Sequence, residues 1–266
     1  MKGSLWQHPF VDVFKYAGIS EWRQCHKEGD VTETIDKIIS KKVYKLQGSV
    51  SASNYIQIPK AKSDLKSLGL NGKYIYIQLR VSPGKLFSLH LDLILTNTRT
   101  NLEEPLKLSL SNLFKESKMQ NSLQIACRAG GKWTVLCVDL RALLAEFFAE
   151  RMAFKELKMV TLCANMHVKG VYTSDILYNP KTMPKEMGLK VLKIEEWSSS
   201  YDWMHVPEAF GNENYEKEVE IKEVLKEERK KPMKVYVKNE YRDKTSGKKG
   251  KNPEKKNRTQ ANRSNS

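Results

Sequence analysis

The stretch Lys41-Lys-Val-Tyr-Lys-Leu-Gln-Gly-Ser-Val-Ser-Ala-Ser-Asn-Tyr-Ile-Gln-Ile58, closed by Pro59, decides how the rest of the chain is read. Val43 and Lys45 alternate with Tyr44 and Leu46, Gly48 and a run of Ser, Ala and Asn interrupt, and Tyr55, Ile56 and Ile58 resume the apolar pattern until proline ends it. This predicts two strands about a tight turn. Nothing in the stretch has the spacing of a nucleophile, a metal site or a phosphate loop, so it points to a β scaffold.

Working outward, the same period of two recurs. In Tyr74 to Val81, Ile75, Ile77, Leu79 and Val81 share one face. After Ser82-Pro83-Gly84, Phe87, Leu89, Leu91, Leu93 and Leu95 alternate with polar residues. The pair is predicted to be a hairpin with one buried face. Leu106, Leu108 and Leu110 follow a polar loop over 96–105, and Ser122 to Arg128 and Lys132 to Val138 predict two strands about Ala-Gly-Gly. Asp139 then stands where an N-cap belongs, with Leu140, Leu143, Leu144, Phe147 and Phe148 at helical spacing, which predicts one helix of about three turns. Met159 to Ala164 and Val168 to Tyr172 read as further strands, and Val31 to Asp36 as a weaker one. Residues 1–30 read as a short helical or irregular segment whose aromatics anchor on the sheet, and residues 175–207 as irregular. About nine short strands and one helix predict an all-β fold, an antiparallel sandwich or jelly roll over residues 1–207, with a closed barrel as the alternative.

Beyond Pro207 the composition shifts. Residues 213–228 hold 7 Glu against 3 Lys, with a narrow stripe of Ile221, Val224 and Leu225 that suits a charged helix. Residues 229–266 hold 14 Lys and Arg against 3 Asp and Glu, and 244–266 lacks the apolar residues a core needs, which predicts a disordered basic tail. Val235-Tyr-Val237 reads as a short docking strand between them. Within a total net charge of +15, residues 1–212 therefore keep +8. A basic body with a more basic tail favours an acidic polymer or surface as partner, through attraction that salt weakens.

Several function classes find no support. No apolar run approaches the roughly 20 residues a bilayer span needs, and the N-terminus has no apolar signal region, so cytoplasm is the default expectation. Cys25, Cys127, Cys137 and Cys163 show neither zinc-site nor disulfide-framework spacing and read as buried thiols. G-x-G-x-x-G, Walker A, H-E-x-x-H and G-x-S-x-G are all missing from the chain. Cys25 and His26 are neighbours in sequence, which is not how a nucleophile and its base normally meet. The expectation is no catalysis, no cofactor and no metal. Ser174-Asp175 reads as a turn rather than part of a triad.

Trp6-Gln-His-Pro-Phe10, Gly48-Ser-Val-Ser-Ala-Ser-Asn-Tyr-Ile-Gln-Ile-Pro59, Leu68-Gly-Leu-Asn-Gly-Lys-Tyr74, Ser109-Leu-Ser-Asn-Leu-Phe-Lys-Glu116, Tyr172-Thr-Ser-Asp175 and Met183-Pro-Lys-Glu-Met187 resemble the domain shared with cilia- and flagella-associated protein 20. The match runs in order over about residues 4–207 and is most like members that continue into WD-repeat propeller arrays. What the resemblance implies is a jelly roll that binds the microtubule wall at the inner junction of doublets or triplets, in centriole, basal body or ciliary axoneme, without enzymatic activity.

The candidate contacts for tubulin are then the basic residues around the first strands, Lys41, Lys42, Lys45, Lys60, Lys62, Lys66, Lys73 and Arg80, joined by Arg229, Lys230 and Lys231 at the start of the tail. Two other classes stay open. Tyr74, Tyr76, Trp197 and Trp203, if exposed, would suit carbohydrate stacking. Nucleic acid binding by the tail is disfavoured, because no aromatic residue interleaves the basic run past Tyr241.

Overall fold

The computed structural model describes residues 9–60, 65–149, 151–189 and 200–207. Fourteen strands among them form two sheets. They are β1 (Val11–Asp12), β2 (His26–Glu28), β3 (Asp30–Asp36), β4 (Lys41–Gln47), β5 (Tyr55–Ile58), β6 (Tyr74–Val81) and β7 (Ser88–Asn97). The second half of the chain supplies β8 (Glu103–Ser111), β9 (Ser117–Met119), β10 (Ser122–Ala126), β11 (Trp133–Asp139), β12 (Met152–Cys163), β13 (Met166–Ser174) and β14 (Tyr201–Val206). The helices are a single turn, α1 (Val13–Tyr16), and the longer α2 (Leu140–Phe148). No helix among the described residues is long and apolar enough to cross a membrane.

The first sheet runs β14-β11-β6-β13-β4-β3, with β1 also on β13, and the second runs β2-β5-β12-β7-β8-β10-β9. The all-β sandwich reading therefore holds, with a refinement: β8 pairs parallel to β10 and β11 parallel to β14, while the other named pairs are antiparallel. Two expected hairpins are not hairpins. β4 lies in the first sheet and β5 in the second, and the same split separates β6 from β7. Alternation specifies which side chains point inward. It does not say whether two successive strands lie side by side or face each other across the core.

That core is built from both inner faces. Leu46, Ile75, Ile77, Leu136 and Val168 of the first sheet meet Leu89, Leu91, Leu108, Val160 and Leu162 of the second, all fully buried. Each such side chain stabilises the sandwich by about 1.5–3 kcal/mol. On β7 the alternation is regular and one-sided, whereas β6 is buried on both faces. The reason is a second apolar layer, in which residues 176–189 cover the outer side of the first sheet and enclose Tyr76, Trp133, Cys137 and Tyr201. Tyr74 and Tyr76, expected as exposed stacking platforms, are consequently 8% and 0% exposed, with the Tyr76 hydroxyl donating to the Ile176 carbonyl and accepting from the Tyr178 amide. Trp203 is half-buried, its indole N–H donating to His205 Nε2. Trp197 lies outside the described residues. The carbohydrate reading thus loses its two tyrosines.

Helix α2 begins as expected, with the Asp139 carboxylate accepting from the Arg141 and Ala142 amides at 3.0 Å, and buries Leu140, Leu143 and Leu144. Phe14 and Trp22 stack edge-on against Tyr44 at 5.5 and 5.7 Å, so the N-terminal aromatics do anchor on the sheet. The expected helix over 213–228, the strand over 235–237 and the basic tail, all beyond the expected boundary at 207, lie outside the described residues.

Candidate basic surface

The candidate lysines divide between the sheets. Lys41, Lys42 and Lys45 stand on β4 beside the edge strand β3. Lys60 and Lys66 belong to the other side of the sandwich: the chain after β5 runs beside β12, where Leu70 bridges Leu157 and the Leu68 amide donates to the Lys158 carbonyl. Lys73 leads into β6 and pairs with Asp175 at 3.7 Å. Lys42 is bound to Glu33 at 2.7 Å. Lys62, Arg229, Lys230 and Lys231 lie outside the described residues. A run of lysines close in sequence is therefore not one patch, because the chain changes sheets between Gln47 and Tyr55.

Arg80 serves the fold instead. Its guanidinium donates to Asp36 at 2.6 Å and lies over the Trp133 ring at 5.8 Å. Asp36 is 5% exposed and also accepts from the Trp133 indole N–H and the Ile38 and Ile39 amides at 2.9–3.2 Å. Burial alone would raise its carboxyl. The Trp133, Ile39 and Ile38 hydrogen bonds and the Arg80 charge outweigh that and hold it below the usual carboxylate range. Arg80 is thus committed to neutralising a buried charge.

Two other cations join the β4 lysines on the outer side of the first sheet. Lys15 extends from α1, which packs on β13, and Lys169 projects from β13, where the charges of Lys41 and Lys15 are both felt at its ammonium. Lys15 is exposed, with only a long 3.9 Å contact to Asp12. Lys41 and Lys45 have no acidic partner among the described residues. Lys169 differs: its ammonium donates to Gln78 Oε1 at 2.8 Å and to the Tyr172 hydroxyl at 3.0 Å, beneath the Glu186 and Met187 carbonyls. Among the described residues no carboxylate pairs with it directly, although the Asp12 charge favours its protonated form. Burial first, helped by the Lys41 and Lys15 charges, outweighs the opposing Asp12 charge and presses its pKa down to about 8. Sequence reasoning missed Lys15 and Lys169, since neither lies within the run 41–80.

The Lys169 shift has a sign that can be tested. Between about pH 8 and the unfolded lysine value near 10.4 the unfolded chain holds a proton that the folded one has released, so stability rises with pH across that window. Urea midpoints taken from pH 7.5 to 10.5 will rise more steeply for the unaltered protein than for Lys169→Met. Equal slopes would show that the ammonium titrates normally.

The catalytic candidates do not assemble. Cys25 is buried, with burial pushing its thiol up to about 12, and its sulfur contacts the Ala17 carbonyl at 3.6 Å. His26 points to Glu28 at 3.3 Å instead. All four cysteines are buried, and none forms a disulfide. Ser174 is a turn residue as expected, its hydroxyl accepting from the Ile176 amide at 3.0 Å. His90 Nδ1 and Ser109 Oγ meet at 2.8 Å across β7 and β8, a pairing the sequence did not suggest, but Ser109 is buried at 4% exposure and cannot meet a substrate without opening the sheet.

Comparison with known proteins gives the family. The model of the CFA20 domain matches residues 1–191. WD repeat-containing protein 90 of Xenopus tropicalis is 35% identical over 246 residues, covering 76% of this chain and 13% of that protein. Its human counterpart is 36% identical over 230 residues, covering 76% and 13%. Centriole proteome protein 16 of Chlamydomonas reinhardtii is 36% identical over 188 residues, covering 69% of this chain and 9% of that protein. The chain thus spans a small fraction of the length of these relatives. It belongs to the CFA20 domain family.

Proposed function

We propose that this chain is a non-enzymatic structural protein of centrioles and ciliary axonemes, which binds the microtubule wall near the inner junction through the basic β4 side of its first sheet. Similarity to a protein named for the centriole proteome supports the location. The observation that carries the contact is the grouping of Lys15, Lys41 and Lys45 on one side of the sandwich, with Lys41 and Lys45 unneutralised among the described residues. An acidic lattice meeting such a face gains long-range attraction that sets association rate and orientation, at the expense of little desolvation. The basic residues 229–231 and the tail beyond them add accessory charge to the same encounter.

The test is co-sedimentation of the full chain with microtubules. Reversing Lys15, Lys41 and Lys45 to Glu will weaken binding by about tenfold or more and flatten its salt dependence. Reversing Lys60 and Lys66, on the other side of the sandwich, will change it less than about twofold. Equal losses from both sets would assign the attraction to net charge and reject the face.

A further inference from the structure

A groove of about 520 Å³ opens between α2 and the first residues of β12, within the size range of ligand-holding clefts. Leu144, Ala145, Met152 and Phe154 form its floor. The floor is open for a local reason. Helix α2 turns Leu140, Leu143 and Leu144 onto the core, and Ala145 is too small to cover what lies beside it, so Met152 and Phe154 pack inward on one side only and stay half-buried.

The rim is cationic. Lys73, Arg141 and Lys155 surround the floor. Lys155 contacts Glu103 and Lys73 contacts Asp175, both as exposed pairs of the kind that contribute little. Arg141 has no acidic partner among the described residues. Its position is also unfavourable for the helix, since it sits two residues after the Asp139 cap, in a first turn that holds no acidic residue, where a positive charge opposes the helix dipole. The fold gains nothing visible from a guanidinium there, whereas a carboxylate ligand would.

We propose that this groove docks an acidic amphipathic segment of a partner protein, with its apolar side chains on the Leu144, Met152 and Phe154 floor and its carboxylates on Arg141, Lys73 and Lys155. Charge complementarity selects the acidic partner, and the apolar floor selects an amphipathic segment over a simple run of glutamates. The site is separate from the β4 face, so the two contacts can be lost independently.

The experiment uses the full chain and fluorescence anisotropy with two synthetic 14-residue peptides. One is glutamate-rich with three leucines at helical i, i+3 and i+7 spacing, and the other has the same charge with those leucines replaced by serine. The leucine peptide will bind at least about tenfold more tightly than the serine peptide, and Arg141→Glu or Ala145→Glu will each weaken it about tenfold or more. Both altered residues are exposed, so Arg141→Glu will not lower the melting temperature and, by favouring the helix dipole, raises it slightly if at all, while microtubule co-sedimentation stays unchanged and separates this site from the proposed lattice contact. Equal binding of both peptides, or binding that survives Arg141→Glu, would reduce the groove to general electrostatic attraction and overturn the proposal. If replacing the glutamates of residues 213–228 by glutamine raises leucine-peptide affinity, the same chain is the occupant and the external partner is rejected.

Discussion

Asp36→Ala will destabilise the domain by about 3–5 kcal/mol, the range for removing one partner of a buried ion pair. Four groups converge on that carboxylate: the Arg80 guanidinium, the Trp133 indole and the Ile38 and Ile39 amides. Removing it leaves a half-buried guanidinium and a fully buried indole N–H without their acceptor. Urea unfolding measures the loss. The double replacement Asp36→Ala with Arg80→Met will recover a good part of it, because the uncompensated charge goes too, and with the Arg80→Met single variant the thermodynamic cycle gives the coupling. The pH dependence follows from the lowered carboxyl: the contribution is complete above the unfolded aspartate value near 3.9 and disappears as pH falls through the lower folded value. The Ala variant will lack that segment of the acid-stability profile. If its acid profile instead matches that of the unaltered protein, the ion pair is not what holds this end of the sheet.

The second large effect belongs to the corner that carries the chain from β4 to β5. Asn54 organises it: its Oδ1 accepts from the Asp30 amide at 2.9 Å, its Nδ2 donates to the Val50 carbonyl at 2.8 Å, and its own carbonyl accepts from the Ala164 amide at 2.8 Å. The side chain lies so close to two glycines that a Cβ on Gly48 would come within 2.0 Å of Asn54 Nδ2, and one on Gly29 within 2.2 Å of Oδ1 and 2.5 Å of the Ser53 carbonyl oxygen. Gly29 also has φ +69°, a conformation that costs an L residue about 1–2 kcal/mol. Gly29→Ala will therefore cost about 3 kcal/mol or more, and Gly48→Ala about 1–3 kcal/mol. The two differ in rescue. Asn54→Ala will relieve Gly48→Ala, since only that side chain obstructs it closely. It will not relieve Gly29→Ala, where backbone stands in the way. Matching rescue of both would show that the corner relaxes around Asn54 rather than being set by it.

The local elements were legible in the sequence to different degrees. The leucines of β7 and the Asp139 cap of α2 announced themselves, because one-sided burial writes a period of two and a cap needs a short acceptor side chain. Strand partners were not legible. β4 and β5, like β6 and β7, are consecutive and similarly patterned, and nothing in their alternation distinguishes a neighbour in the same sheet from one opposite. β14 escaped because Tyr201, Trp203 and His205 alternate with Asp202, Met204 and Val206, which mixes polar and apolar residues on both faces. The basic surface was half legible. Lys41 and Lys45 could be placed once β4 was recognised, while Lys15 and Lys169 reach the same side only through the packing of α1 and the pairing of β13. Arg80 looked like one more surface cation. Its true neighbour, Asp36, lies 44 residues away in the chain and at 2.6 Å in space.

The switching of the chain between sheets has a consequence for synthesis. β6, one of the most apolar strands, finds its partners in β11 and β13. A ribosome delivering the chain from its N-terminus exposes Tyr74–Val81 long before Trp133–Asp139 and Met166–Ser174 exist to receive it. During that interval the strand is an unpaired apolar edge, the condition under which nascent β proteins associate wrongly. Although β3–β4, β7–β8 and β9–β10 are local hairpins, β4, β5, β6 and β7 wait for β11, β12 and β13, so the sandwich must close late, placing it among slowly folding topologies. Its expression will depend on shelter for the growing chain more than on the final stability of the folded domain.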